Sequence, residues 1–217
     1  MDYSAARRRM VENQIRTNRV TDPLIIEAMA EIPRELFVPE TLRGIAYIDE
    51  DVPLGNGRYL MEPMVQALLL QAAEIDADDV VLEIGGGTGY GAAVIARMAS
   101  AVISVEPDAA LAETASARLA ELDLTTVTVV DAPLTDGCPD QAPYDVIVFG
   151  GAISRVPPAI ADQLAEGGRI VAMVAETPGM GRGTVFLKIA GSLSRRIDFD
   201  AATPYLPGFE PQPTFRF

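Results

Sequence analysis

Residues 80–92 read Val80-Val81-Leu82-Glu83-Ile84-Gly85-Gly86-Gly87-Thr88-Gly89-Tyr90-Gly91-Ala92. A short apolar run carries one acid and then breaks into glycines ahead of an alanine-rich segment. That order is a strand, a tight turn and the start of a helix. Glycine lets the backbone turn sharply and lets a ligand approach the main chain, while the helix start presents free N–H groups. A phosphate-cradling loop would need Gly-Lys-Ser/Thr at its end, and this turn holds no lysine. A dinucleotide fingerprint can be laid on Gly87-Thr88-Gly89-Tyr90-Gly91-Ala92, with Glu106 at about the right distance for ribose hydroxyls. That frame starts two residues late, because the strand already ends at Ile84-Gly85. The pattern acid-x-Gly-x-Gly-x-Gly fits residues 83–89 with no shift.

Outward from the turn, the chain alternates strands and helices. Strands are expected at 80–84, 101–105, 127–130, 144–149 and 169–174, with helices at 92–99, 108–122 and 157–164 between them. Near-continuous apolar strands of this kind form a parallel sheet covered on both faces. Residues 184–189 and 193–199 read as two antiparallel strands joined at Gly191-Ser192, and 204–217 as an extended, proline-punctuated cover. Before the turn, helices are expected at 4–18, at 22–31 with Asp22 as N-cap and Pro23 in the first turn, and from Glu62-Pro63 onward. Residues 45–60, with Pro53, Gly55, Asn56 and Gly57, read as a loop. The fold class is therefore α/β: a doubly wound, mostly parallel sheet with N-terminal helices and an antiparallel C-terminal edge.

Composition removes several kinds of chemistry. The 217 residues contain no histidine, which takes away the commonest general base, the commonest zinc ligand and every Ser-His or Cys-His pair. No metal site is expected. With 31 acids against 17 bases the formal charge is −14, a field that repels phosphate backbones and argues against nucleic acid. The basic clusters Arg7-Arg8-Arg9 and Arg195-Arg196 read as solvated faces. No apolar run reaches the ~20 residues a membrane helix needs, and the N-terminus lacks an apolar signal core. The single cysteine, Cys138, suits a reducing cytosol, so a cytoplasmic location is the expectation.

The acid-Gly pattern resembles the S-adenosylmethionine site of the Rossmann-like methyltransferases. This ligand has no phosphates, so the turn needs no basic residue. Glu83 suits its ammonium, directly or through water. Glu106, at the end of the next strand, suits its ribose diol. Asp131, ending the third strand, suits the exocyclic amine of its adenine. Gly85, Gly87 and Gly89 would supply the close backbone approach.

Further stretches are similar to the protein-L-isoaspartate O-methyltransferase family: MVENQI (residues 10–15), EAMAEIPRELFVPE (27–40), AYIDEDVPLGNG (46–57), VLEIGGGTGYGAAVIA (81–96), ARLAEL (117–122), APYDVIVFGGA (142–152) and PPAIADQLAEGGRIV (157–171). The likeness runs in order over most of the chain, and the two stretches before the glycine turn are its most specific part. It implies a repair enzyme that moves a methyl group from S-adenosylmethionine to the α-carboxylate of L-isoaspartyl residues in damaged proteins. It also implies one methyltransferase domain over 1–217, divided into a helical and substrate-loop region (1–78), a cofactor-binding core (79–175) and a C-terminal hairpin and tail (176–217). The Tyr59-Leu60-Met61 segment would close over the methyl group, and the glycine-rich loop from Gly179 to Thr184 would cover the cofactor's far side.

Three positions depart from the family pattern. Met61 stands where the family's Thr-Ile-Ser-x-Pro places its serine. Ala132-Pro133-Leu134 replaces a Gly-Asp-Gly, leaving Asp131 and the adjoining Ala132 at the adenine end. The closing Val-Arg-Phe-Val-Pro has only a distorted echo in residues 213–217. Two further readings therefore stand beside repair: a methyltransferase with a different acceptor, and a non-catalytic S-adenosylmethionine-binding protein. Met61 is open to two readings as well, an altered site or core filling. Glu62 either points into the site or opens its helix as an N-terminal acid.

Overall fold

The computed structural model describes residues 1–177 and 179–211. Among the described residues, nine strands and six α-helices follow in chain order. Helices α1 (Tyr3–Met10) and α2 (Pro23–Glu31) precede a two-stranded ribbon, β1 (Val52–Gly55) and β2 (Arg58–Leu60). Then come α3 (Pro63–Ala73), β3 (Val80–Ile84), α4 (Tyr90–Ile95), β4 (Ala101–Val105), α5 (Ala109–Glu121) and β5 (Val127–Val130). The chain continues through β6 (Tyr144–Ile153), α6 (Pro158–Asp162), β7 (Leu164–Thr177), β8 (Met180–Ile189) and β9 (Ser192–Ala201). The main sheet runs β5-β4-β3-β6-β7-β8-β9, parallel from β5 to β7 and antiparallel through β8 and β9. Among the described residues, no helix is long and apolar enough to cross a membrane.

Alternation along each parallel strand sorts side chains into two cores. Val81, Val102, Val146 and Val171 face the layer built with α1 to α4. Leu82, Ile103, Ile147 and Ile170 face the other layer, with Ile160 of α6 and with Leu206 and Phe209 of the tail. Because β4 and β6 flank β3 on opposite sides, the chain reverses its direction of travel there. The crevice beyond the carboxyl end of β3 is where such sheets take ligands.

Asp22 caps α2 as its sequence suggests, its carboxylate accepting the Leu24 N–H at 2.8 Å. The first helix is less regular than expected. It ends at Met10 and continues as a π-turn over Val11–Ile15 and a 3₁₀ turn over Arg16–Asn18. The wider turn keeps Met10, Val11 and Ile15 all in the core, and Arg19 at φ 67° then stops the helix.

Residues 45–60 hold a hairpin rather than a simple loop. Val52 pairs with Leu60, and Gly55, Asn56 and Gly57 turn the chain with φ of 100°, 50° and 72°. Pro53 is tolerated because a two-stranded ribbon has free edges. Other bounds shift by register. Helix α4 starts at Tyr90, directly on Gly89, and α6 stops at Asp162 because Leu164 already belongs to β7. The last hairpin turns at Ala190 and Gly191, both at positive φ. The tail lies along the carboxyl end of β6. Ala152 N–H donates to Pro204 O and Leu206 N–H donates back to Ala152 O, each at 2.9 Å. Phe209 meets Phe149 edge-on at 5.4 Å.

Candidate active site

The glycine turn is shaped by its neighbours on β4. The N–H groups of Gly85 and Gly86 both donate to Val105 O, and Gly85, Gly87 and Gly89 take φ of 85°, 56° and 93°. Glu83 lies beneath this turn. A Cβ on Gly86 would meet Ser104 Oγ, and one on Gly91 would meet the Glu83 carboxylate, so both glycines are fixed by space. The Ser104 hydroxyl donates to Glu83 Oε2 at 2.7 Å.

Burial pushes the Glu83 carboxyl from its ordinary 4.5 up to about 7, against the Ser104 hydrogen bond, with the Glu106 charge adding to the rise. A carboxyl whose folded pKa is raised binds more protons folded than unfolded. Its contribution to stability is therefore fully present below about pH 4.5 and is lost as pH rises to about 7. Glu83→Gln is expected to flatten that slope, gaining about 3 kcal/mol on wild type between pH 4 and 8. Urea denaturation across that range measures it; parallel curves for the two proteins would refute the assignment. A bound ammonium beside Glu83 would draw its pKa back down.

Glu106 follows β4 and is fully buried. Its Oε2 accepts Arg58 Nη2–H at 2.6 Å and Gly87 N–H at 2.8 Å. Its Oε1 accepts Asp108 N–H at 3.1 Å, and Arg58 Nε sits 3.3 to 3.4 Å from both oxygens. Asp131 is exposed and Ala132 half-buried at the end of β5, on the same edge of the sheet as Glu106.

Tyr59, Leu60 and Met61 come up from β2. Leu60 and Met61 are buried and Tyr59 is 37% exposed. All three line a small cavity with Leu54, Gln66, Glu83, Gly85 and Val148. Met61 thus belongs to the core and also lines this cavity. Its carbonyl accepts Arg34 Nη2–H at 2.6 Å, while Arg34 Nε–H donates to Ala46 O at 2.7 Å. The Arg34 guanidinium lies 4.9 Å from the centre of the Tyr90 ring, Phe37 meets that ring at 5.5 Å, and the Thr88 hydroxyl donates to Phe37 O. The Arg34–Phe37 turn therefore ties the glycine turn to the hairpin. Glu62 stands just before α3, its N–H donating to Asp51 Oδ1 at 3.0 Å, and it does not line the cavity. Burial, then Asp49, Asp51 and Glu50, raise its pKa to about 7.

Thr184 is a correction. Residues 180–184 are part of strand β8, not a loop, and Thr184 pairs with Ala172 and donates to Arg182 O at 3.0 Å. It lines a groove of about 630 Å³ with Val174, Arg195 and Ile197, to which no residue of the glycine turn contributes. That groove is the larger one, but the acids and glycines gather at the other. The echo over 213–217 lies outside the described residues. Sequence reasoning missed Arg34, Arg58, Gln66 and Ser104. Only Arg34 carried a local signal, inside the PRELF stretch.

The residues fit S-adenosylmethionine by chemistry: an acid under the turn, three glycines at positive φ and an acid at the end of the second parallel strand. Sheet and turn together define a Rossmann-like methyltransferase. The family model described as protein-L-isoaspartate(D-aspartate) O-methyltransferase matches residues 5–205. A protein-L-isoaspartate O-methyltransferase of Rhodopseudomonas palustris (strain HaA2) is 41% identical over 169 residues, 78% of this chain and 69% of that one. One of Koribacter versatilis is 39% identical over 193 residues, 89% and 86% of the two chains. A solved protein-L-isoaspartate O-methyltransferase superposes with a TM-score of 0.80 at 28% identity, covering 94% of this chain and 67% of that one. A Plasmodium falciparum protein solved in complex with S-adenosyl-L-homocysteine shares the fold, with a TM-score of 0.78 at 19% identity over 94% and 97%. The chain belongs to the protein-L-isoaspartate O-methyltransferase family.

Proposed function

We propose that the protein methylates the α-carboxylate of L-isoaspartyl residues in damaged proteins, using S-adenosylmethionine, and does so with Met61 at the family's serine position. The observation that carries this is the family match over residues 5–205. When bound, S-adenosylmethionine supplies a methyl group on a sulfonium, whose carbon–sulfur bond electrons return to sulfur as a carboxylate oxygen bonds the methyl carbon. The acceptor, with a carboxyl pKa near ~4, is already ionised at neutral pH, so a chain without histidine lacks nothing the step requires. What remains is positioning and exclusion of water. Glu83, Gly85, Gly87 and Gly89 hold the amino-acid end, Glu106 the ribose, and Asp131 with Ala132 the adenine end. Tyr59, Leu60 and Met61 cover the methyl. Thr184, buried in β8, has no evident part.

A second reading is favoured by Met61 itself. Met61 lines the cavity, and a thioether cannot donate a hydrogen bond to a carboxylate, so a less polar acceptor is the alternative. Transfer of labelled methyl to a peptide with one isoaspartate, against its aspartate twin, decides between them. Selective labelling of the isoaspartyl peptide is expected. Met61→Ser is expected to raise that rate about tenfold, the worth of one hydrogen bond to a charged group. Labelling of neither peptide by wild type or variant, with S-adenosylhomocysteine shown to bind, would exclude repair.

A further inference from the structure

The acid meant for the ribose is already fully engaged. Glu106 has four N–H groups on its two oxygens, from Arg58 Nε and Nη2, Gly87 and Asp108. A carboxylate offers about four acceptor positions, so two diol hydroxyls find none free. The guanidinium also stands in the way. Arg58 Nη2 lies 3.0 Å from where a Cβ on Gly85 would be, against the very backbone that a ligand must approach. The same hairpin sets Leu54 3.0 Å from the corresponding point on Gly87, and the tail sets Leu206 2.6 Å from that on Gly85. The cavity left over the turn is about 30 Å³. A small-molecule site usually offers ~300–1,000 Å³.

The hairpin that carries Arg58 stands apart from the sheet whose strand β4 leads into Glu106. It is a separate two-stranded ribbon, unpaired with the main sheet, turning on three consecutive residues at positive φ. Its exposed tip is clasped by one hydrogen bond, Asn56 Nδ2–H to Asp108 Oδ2 at 2.7 Å. Asp108 is also the N-cap of α5, two residues beyond Glu106, so tip and guanidinium grip the same corner of the fold.

We propose that Arg58 and the β1–β2 hairpin latch the cofactor site, and that Arg58 must release Glu106 before the ribose diol of S-adenosylmethionine can take its place. This rests on the methyltransferase reading above. Arg58 is then a positioning residue that sets cofactor affinity. A protein whose competent state is a fraction f of the whole binds with its intrinsic Kd divided by f, so the latch weakens binding without touching the ligand. Opening also moves Leu54, Tyr59 and Met61, which share the ribbon or adjoin it, so the space for cofactor and for acceptor appears together.

Calorimetric titration with S-adenosylhomocysteine tests the latch without relying on turnover. Arg58→Gln, which keeps a hydrogen-bonding side chain but not the charge, is expected to lower Kd at least tenfold. Asn56→Ala, at the exposed clasp, is expected to lower it two- to threefold while the melting temperature stays within a few degrees of wild type. A folded Arg58→Gln protein that binds no tighter than wild type would overturn the latch and leave the methyltransferase reading standing. If Arg58→Gln does not fold, Asn56→Ala decides alone, an unchanged Kd counting against the latch. Absence of binding in wild type and both variants would overturn the latch and the methyltransferase reading together.

Discussion

Glu106→Ala is expected to lower folding stability by about 3–5 kcal/mol, because it strands the Arg58 guanidinium in the interior. Arg58 and Glu106 side chains are 4% and 1% exposed, so water cannot replace the lost partner. The Gly87 N–H loses its acceptor as well, and the turn loses the bond that orients it. The variant is also expected to bind S-adenosylhomocysteine more weakly than wild type, having no acid for the diol. Urea denaturation gives the stability and calorimetry the affinity. The control is the double replacement Arg58→Leu with Glu106→Leu. A buried ion pair exchanged for apolar groups is often close to neutral, so most of the single variant's loss should return. Binding should not return. A single variant within 1 kcal/mol of wild type would mean that the pair is not closed in solution.

Arg34→Met is the second large effect, expected at about 3 kcal/mol from the loss of two hydrogen-bond donors in a dry site. Arg34 is fully buried, and its guanidinium donates to Ala46 O and Met61 O. Methionine fills much of the volume but leaves both carbonyls unpartnered. Burial works against the charge on this arginine, and removing that charge offsets part of the loss, so the figure stays below that for a broken ion pair. Lysine is no rescue, since one compact ammonium cannot reproduce the two-pronged contact or the stacking on Tyr90. Arg34→Lys should therefore lose methyl transfer along with the methionine variant, through release of the Met61 segment. Denaturation and the labelled-methyl assay run on the same samples check both. Full activity in Arg34→Lys would show that the hairpin is held by something else.

These two arginines mark where the sequence stops speaking. Strand and helix positions were legible because they rest on neighbours: the apolar runs of β3 to β7, Asp22 and Pro23 at the start of α2, and the glycines between Ile84 and Tyr90. Each is a matter of a few residues' spacing, and physics that is local in the chain leaves a local pattern. Glu83 and Glu106 were legible too, since an acid within or just beyond a strand has its place fixed by that strand. The hairpin at 52–60 was hidden by its own turn residues, which signal a tip and a loop alike. Thr184 was misplaced because glycines inside a strand look like a loop until the register to Ala172 is known.

The sequence by itself therefore determined the α/β sheet, the glycine turn and the family. Tertiary structure alone decided the state of the site. Arg58 meets Glu106 across 48 residues and Arg34 meets Met61 across 27, and nothing in the sequence near an arginine says whether water or a carboxylate will face it. Leu206 reaches Gly85 only because the tail bonds to Ala152 beside it. Whether a ligand-binding acid is free or already satisfied depends on which distant donors the packing brings within 3 Å, and distance through space is what a linear chain does not record.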